Sequence, residues 1–179
     1  MHLALLGLPG SGKTTLGRAL AAHYHLPFVD LDAEISAAAG QAIPALFAAR
    51  GEAYFRELEA ATLRAVVARP GALVLATGGG TPCFHGNLAV LQAAGLTLWL
   101  DVPAPVLLAR LTAAETSQRP LLARADPAAW LAQTLAARRG FYRQAQLHCG
   151  EADCSVAALA PRLAAAGWPG AGTETHPST

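Results

Sequence analysis

Short apolar runs alternate along this chain with longer segments whose apolar residues recur at three- and four-residue steps. The runs at 3–6, 28–31, 73–76, 96–100 and 146–149 predict strands. Helices are expected at 13–23, 33–39, 52–68, 86–94 and 104–111, then at 127–142 and from about Ser155 to Ala166. In the 52–68 segment Phe55, Leu58, Thr62 and Val66 share one face. Asp126 and Pro127 stand where an N-cap and a first helical residue belong. Strands alternating with helices predict an α/β domain, a parallel sheet covered on both faces. Residues 112–118 are polar, lack periodicity and precede Pro120, so they read as an exposed loop. The Gly-, Pro-, Ser- and Thr-rich stretch 167–179 is expected to be a flexible tail, leaving one domain over residues 1–166.

With 179 residues, 53% hydrophobic and 14% charged, the chain is expected to bury a single core. A net charge of +1 gives no electrostatic reason for nucleic acid or an anionic membrane as partner, so anions must be met by a few placed cations. No uninterrupted apolar run reaches the roughly 18 residues of a membrane span. The first strand begins almost at Met1, so no targeting segment is read and a cytoplasmic protein is expected. Cys83, Cys149 and Cys154 are odd in number and lack metal-ligand spacing; they are expected to be buried small residues or free thiols.

Gly7-Leu8-Pro9-Gly10-Ser11-Gly12-Lys13-Thr14 fits the phosphate-loop pattern in full, with an apolar strand before it and an alanine-rich helix after it. Glycines let the backbone N–H groups converge on an anion, and the helix N-terminus adds its dipole. Gly10, Ser11, Gly12, Lys13, Thr14 and Thr15 are therefore the candidate ATP contacts. Lys13 would neutralise the terminal phosphates, and the Thr14 hydroxyl would ligate Mg²⁺. The competing reading, a glycine turn that merely caps a helix, does not require both flanks to be right.

Open parallel sheets hold ligands beyond the carboxyl ends of their strands. Two further groups fall there: Asp30-Leu31-Asp32, and Thr77 followed by Gly78, Gly79 and Gly80. Of two carboxylates beside a phosphate loop, one can hold the water shell of Mg²⁺ and the other can accept a hydrogen bond from a reacting hydroxyl. Loop or N-cap aspartates are the plain alternative. Three glycines in a row suggest close backbone approach to a ligand.

These residues, with Gly51-Glu52-x-x-Phe55-Arg56-x-x-Glu59, Arg119-Pro120-Leu121-Leu122 and Arg138-x-x-x-Tyr142, resemble the shikimate kinase family over residues 1–165. The resemblance implies a three-layer P-loop fold, with a five-stranded parallel sheet flanked by helices and a mobile lid at about 112–124. It implies transfer of the ATP γ-phosphoryl group to the 3-hydroxyl of shikimate, by a monomer that uses ATP and Mg²⁺. Asp32 then looks like the contact to the acceptor hydroxyls and a base, and Asp30 like an outer magnesium ligand. Arg56 and Arg138 look like the carboxylate clamp, Gly78 and Gly79 like contacts to the same acid, Arg119 like the lid cation, and Arg110 like an adenine contact. Plain alternatives stand beside these: Arg56 could pair with Glu52 and Glu59 on a helix surface, Arg138 could be exposed beside Arg139, and Arg119 could be a solvated loop charge. The rival functions are a gluconate-kinase-like enzyme and a non-catalytic shikimate-binding regulatory module.

Overall fold

A computed structural model of the chain describes residues 1–113 and 126–168. Five strands, β1 (His2–Leu6), β2 (Phe28–Asp30), β3 (Val74–Ala76), β4 (Gly95–Leu100) and β5 (Leu147–Cys149), form one sheet. Their order is β2-β3-β1-β4-β5 and every pairing is parallel. Among the described residues six helices connect them, α1 (Lys13–His23), α2 (Leu31–Ala39), α3 (Ile43–Val67), α4 (Asn87–Ala94), α5 (Ala104–Ala113) and α6 (Pro127–Tyr142), and α7 (Val156–Ala165) follows β5.

The period-2 alternation of β1 divides the core into two layers. Leu3 and Leu5 pack with Leu16 and Leu20 of α1 and Leu159 and Leu163 of α7. Ala4 and Leu6 face the other way, toward Ile35, Phe55, Leu63, Leu91 and Tyr142 from α2, α3, α4 and α6. All five residues of β1 are buried, as a central parallel strand covered on both faces requires. Gly17, on the inner face of α1, lets the helix lie close to the sheet: a Cβ there would sit 2.6 Å from the Phe28 ring. Among the described residues no helix is long and apolar enough to cross a membrane.

Three departures from the sequence expectation bear on the site. First, α2 begins at Leu31, with the Asp30 carboxylate capping it by accepting from the Asp32 N–H at 3.1 Å. Asp32 thus stands in the first turn of a helix. Second, α3 starts nine residues earlier than expected and is broken at Gly51, whose φ of 76° and ψ of 176° are not helical. The part before the break carries Ile43, Leu46 and Phe47, too few for a helical period to show, and is held by tertiary packing, with the Phe47 and Phe55 rings 4.4 Å apart. Third, the glycine triplet leads into a single 3-10 turn, Thr81–Cys83. Trp168, assigned above to the tail, is buried against Tyr24 with ring centroids 6.4 Å apart. The first two residues of the expected loop and lid, Thr112 and Ala113, instead end α5; Arg119 and the rest of the lid lie outside the described residues, as does the chain beyond Trp168.

Candidate active site

The phosphate loop joins β1 to α1. Gly12 occupies the N-cap of α1 in the left-handed region (φ 95°) and offers no side-chain cap, so the first-turn N–H groups stay available to an anion. Gly7 is needed for space: a Cβ would lie 2.9 Å from Ser11 Oγ and 3.0 Å from the Leu100 carbonyl. Lys13 Nζ donates to the Gly7 and Leu8 carbonyls, each at 2.9 Å, so the ammonium closes the loop on itself. Thr14 Oγ1 donates to Asp30 Oδ2 at 3.0 Å. That pair of hard oxygens beside a phosphate cradle is a donor set that fits Mg²⁺.

Asp32, Gly78 and Glu59 meet beside this loop. A Cβ on Gly78 would lie 3.0 Å from Asp32 Oδ1, 3.0 Å from Thr81 Oγ1 and 3.1 Å from Glu59 Oε1, so only glycine lets the three oxygens gather. The Asp32 side chain reaches solvent through the cavity, yet the surrounding protein strips enough water to raise its carboxyl pKa. Asp30 and Glu59 push in the same direction, while Lys13 and Arg56 pull it down.

Arg56 is both a salt-bridge partner and a cavity residue. Its Nε and Nη2 donate to Glu52 at 3.2 and 3.0 Å, and Nη1 donates to Glu59 at 2.8 Å. Five guanidinium N–H groups less three leaves one on each terminal nitrogen, the spacing that a carboxylate takes bidentately. The partners differ in kind. The Glu59 side chain is 1% exposed and the Glu52 side chain 60%, so Glu59 sets the orientation and Glu52 contributes little. Thr81, which the sequence did not single out, donates to Glu59 at 2.6 Å and completes the buried network. Its only sequence signal is a hydroxyl directly after three glycines. Gly80 gives the guanidinium room, since a Cβ there would sit 2.8 Å from both terminal nitrogens.

The structure also separates the two arginines of α6. Arg138 lines the cavity and lies 3.2 Å from where a Gly79 Cβ would be. Arg139 turns outward, 3.8 Å from Asp101 and over the Trp99 ring.

A cavity of about 1340 Å³ unites these groups. Its lining comprises the phosphate loop, an arm of Asp32, Arg56, Gly79 and Arg138 gathered at the glycine turn, and an arm of Arg110, Glu151, Cys154, Ser155 and Val156. In that second arm Arg110 is paired with Glu151 at 2.8 Å. The same arm carries a correction: Cys149 and Cys154 form a disulfide with an S–S distance of 2.07 Å, leaving only Cys83 free among the cysteines. Sequence spacing could not reveal that the end of β5 and the entry to α7 bring the two Cα atoms to 5.3 Å, within bridging range. Closing so short a loop contributes about 2 kcal/mol. Cys154→Ser is therefore expected to lower the Tm by roughly 4–8 °C and to weaken ADP binding, read by scanning calorimetry and nucleotide titration. An unchanged nucleotide affinity would show that the bond serves the fold alone.

Comparison with known proteins gives a consistent picture. The family model described as "Shikimate kinase" matches residues 9–165. The chain is 43% identical over 151 residues to a shikimate kinase from Nitrobacter winogradskyi, an alignment covering 84% of this chain and 69% of that one. A crystal structure of shikimate kinase from Bacteroides thetaiotaomicron superposes with a TM-score of 0.79 at 39% identity, covering 84% of this chain and 86% of the other. Shikimate kinase from Acinetobacter baumannii in complex with shikimate does so with a TM-score of 0.81 at 32% identity, covering 92% of each chain.

Proposed function

The chain belongs to the shikimate kinase family, and from that premise we propose that it transfers the γ-phosphoryl group of ATP to the 3-hydroxyl of shikimate through the residues gathered in its cavity. The observation that carries the residue assignment is the division of that cavity into a phosphate cradle and an arm with two arginines, a glycine turn and an aspartate.

Phosphoryl transfer asks for alignment and charge stabilisation more than covalent chemistry. The loop N–H groups and Lys13 hold the β- and γ-phosphates. Thr14 and Asp30 are the residues that would hold Mg²⁺, which when bound neutralises phosphate oxygens. The free N–H groups of Arg56, together with Arg138, take the acceptor's carboxylate, and the backbone at Gly78 and Gly79 lets the ring lie close. Asp32 accepts a hydrogen bond from the attacking hydroxyl and, ionised, can take its proton. Arg119 is proposed as the cation that closes over the phosphates, and Arg110 as a contact at the base. No step calls for a second subunit, which suits a monomer.

The gluconate-kinase-like reading shares the phosphate cradle, and the binding-module reading shares the acceptor arm. Coupled ADP release with ATP against shikimate, quinate and gluconate separates all three. Turnover with shikimate far above the other two acids is expected. Preference for gluconate would support the first rival, and shikimate binding without ADP release the second.

A further inference from the structure

The cavity residues do not account for Tyr142, the last residue of α6. It is fully buried, and its hydroxyl donates to the Gly79 carbonyl, 63 residues away. Its ring packs against Trp99 of β4 with centroids 5.9 Å apart, so the phenol is fixed by the sheet. Arg138, one helical turn earlier, places its positive charge near the same phenol. Burial raises the pKa of Tyr142, which therefore stays a neutral donor across the working pH range.

The peptide that this hydroxyl holds lies between the two cations of the acceptor arm. Arg138 flanks Gly79, and the Arg56 fork flanks Gly80. Because the peptide unit is planar and trans, fixing the Gly79 carbonyl toward Tyr142 also fixes the Gly80 N–H in the opposite direction.

We infer that Tyr142 is a positioning residue for the acceptor: its hydroxyl locks the Gly79–Gly80 peptide and the Arg138 side chain in the one arrangement that presents both arginines to the acceptor's carboxylate. This rests on the reading of Arg56 and Arg138 as the carboxylate clamp. It assigns Tyr142 no contact with either substrate.

The test is Tyr142→Phe, which keeps the ring packing and removes only the O–H. The variant's KM for shikimate, and the Kd for shikimate measured by calorimetry without nucleotide, are expected to rise about tenfold, the effect of leaving a buried carbonyl unpaired. The KM for ATP stays at the wild-type value. A methyl ester of shikimate adds a second readout: replacing the acid by the ester costs the variant less affinity than it costs the wild type, because the clamp is already misaligned. A purely structural role would lower the Tm and leave the shikimate KM, and the acid-to-ester difference, unchanged. That outcome, or a Tyr142→Phe protein that does not fold, overturns the proposal while the kinase assignment stands. A wild-type protein that binds no shikimate overturns the underlying reading instead.

Discussion

Lys13→Ala is expected to lower kcat by about a thousandfold while leaving shikimate affinity intact. The ammonium sits on the Gly7 and Leu8 carbonyls, at the turn proposed to receive the β- and γ-phosphates. In a cavity partly closed to water, a fixed cation stabilises the charge that moves from the γ-phosphoryl group to the leaving oxygen far better than solvent does. The acceptor arm is built from other elements, so its carboxylate clamp does not depend on this residue. Coupled kinetics with a parallel shikimate titration check both halves. A variant that retained wild-type kcat would remove the lysine from the chemistry, and one that lost shikimate binding would show that the two arms do not work separately.

Asp32→Asn is the second large effect, with kcat falling by a factor on the order of 10²–10³ and thermal stability rising. The carboxylate accepts no hydrogen bond from the described residues, yet it stands beside Asp30 and Glu59 in a place short of water, which raises its pKa. The sign of the linkage follows. A group with a higher pKa in the folded than in the unfolded state favours folding below the unfolded value, and that advantage is lost as pH rises through the folded value. At neutral pH the ionised Asp32 therefore costs stability, and asparagine removes the cost. The Tm of Asp32→Asn should exceed the wild type near pH 7 and match it under acid conditions. The wild-type rate should fall with decreasing pH at a point above the usual aspartate range, and the residual rate of the variant should lack that limb. Equal loss of Tm at both pH values would make Asp32 a structural residue.

The strand pattern, α6 and the part of α3 after Gly51 were legible because parallel strands buried on both faces leave short apolar runs between segments of helical period. The phosphate loop was legible because its glycines, lysine and threonine are consecutive. Contacts between distant segments were not. The Cys149–Cys154 bond depends on how β5 and α7 approach, and the part of α3 before Gly51 on packing of Phe47 against Phe55. Likewise, Arg138 and Arg139 are equivalent in sequence; only the approach of α6 to Gly79 on one side and Asp101 on the other distinguishes them. Arg56 shows the remaining limit. Its spacing from Glu52 and Glu59 correctly indicated ion pairs, while the two N–H groups left over emerge only from geometry.

A crystal structure with shikimate and a non-hydrolysable ATP analogue bound together tests the central claim most directly. The account predicts the γ-phosphate on Lys13, the shikimate carboxylate on the free edge of Arg56 and on Arg138, and a ring hydroxyl within hydrogen-bond reach of Asp32. Shikimate bound with its carboxylate away from both arginines, or with Asp32 turned out of the cavity, would contradict it.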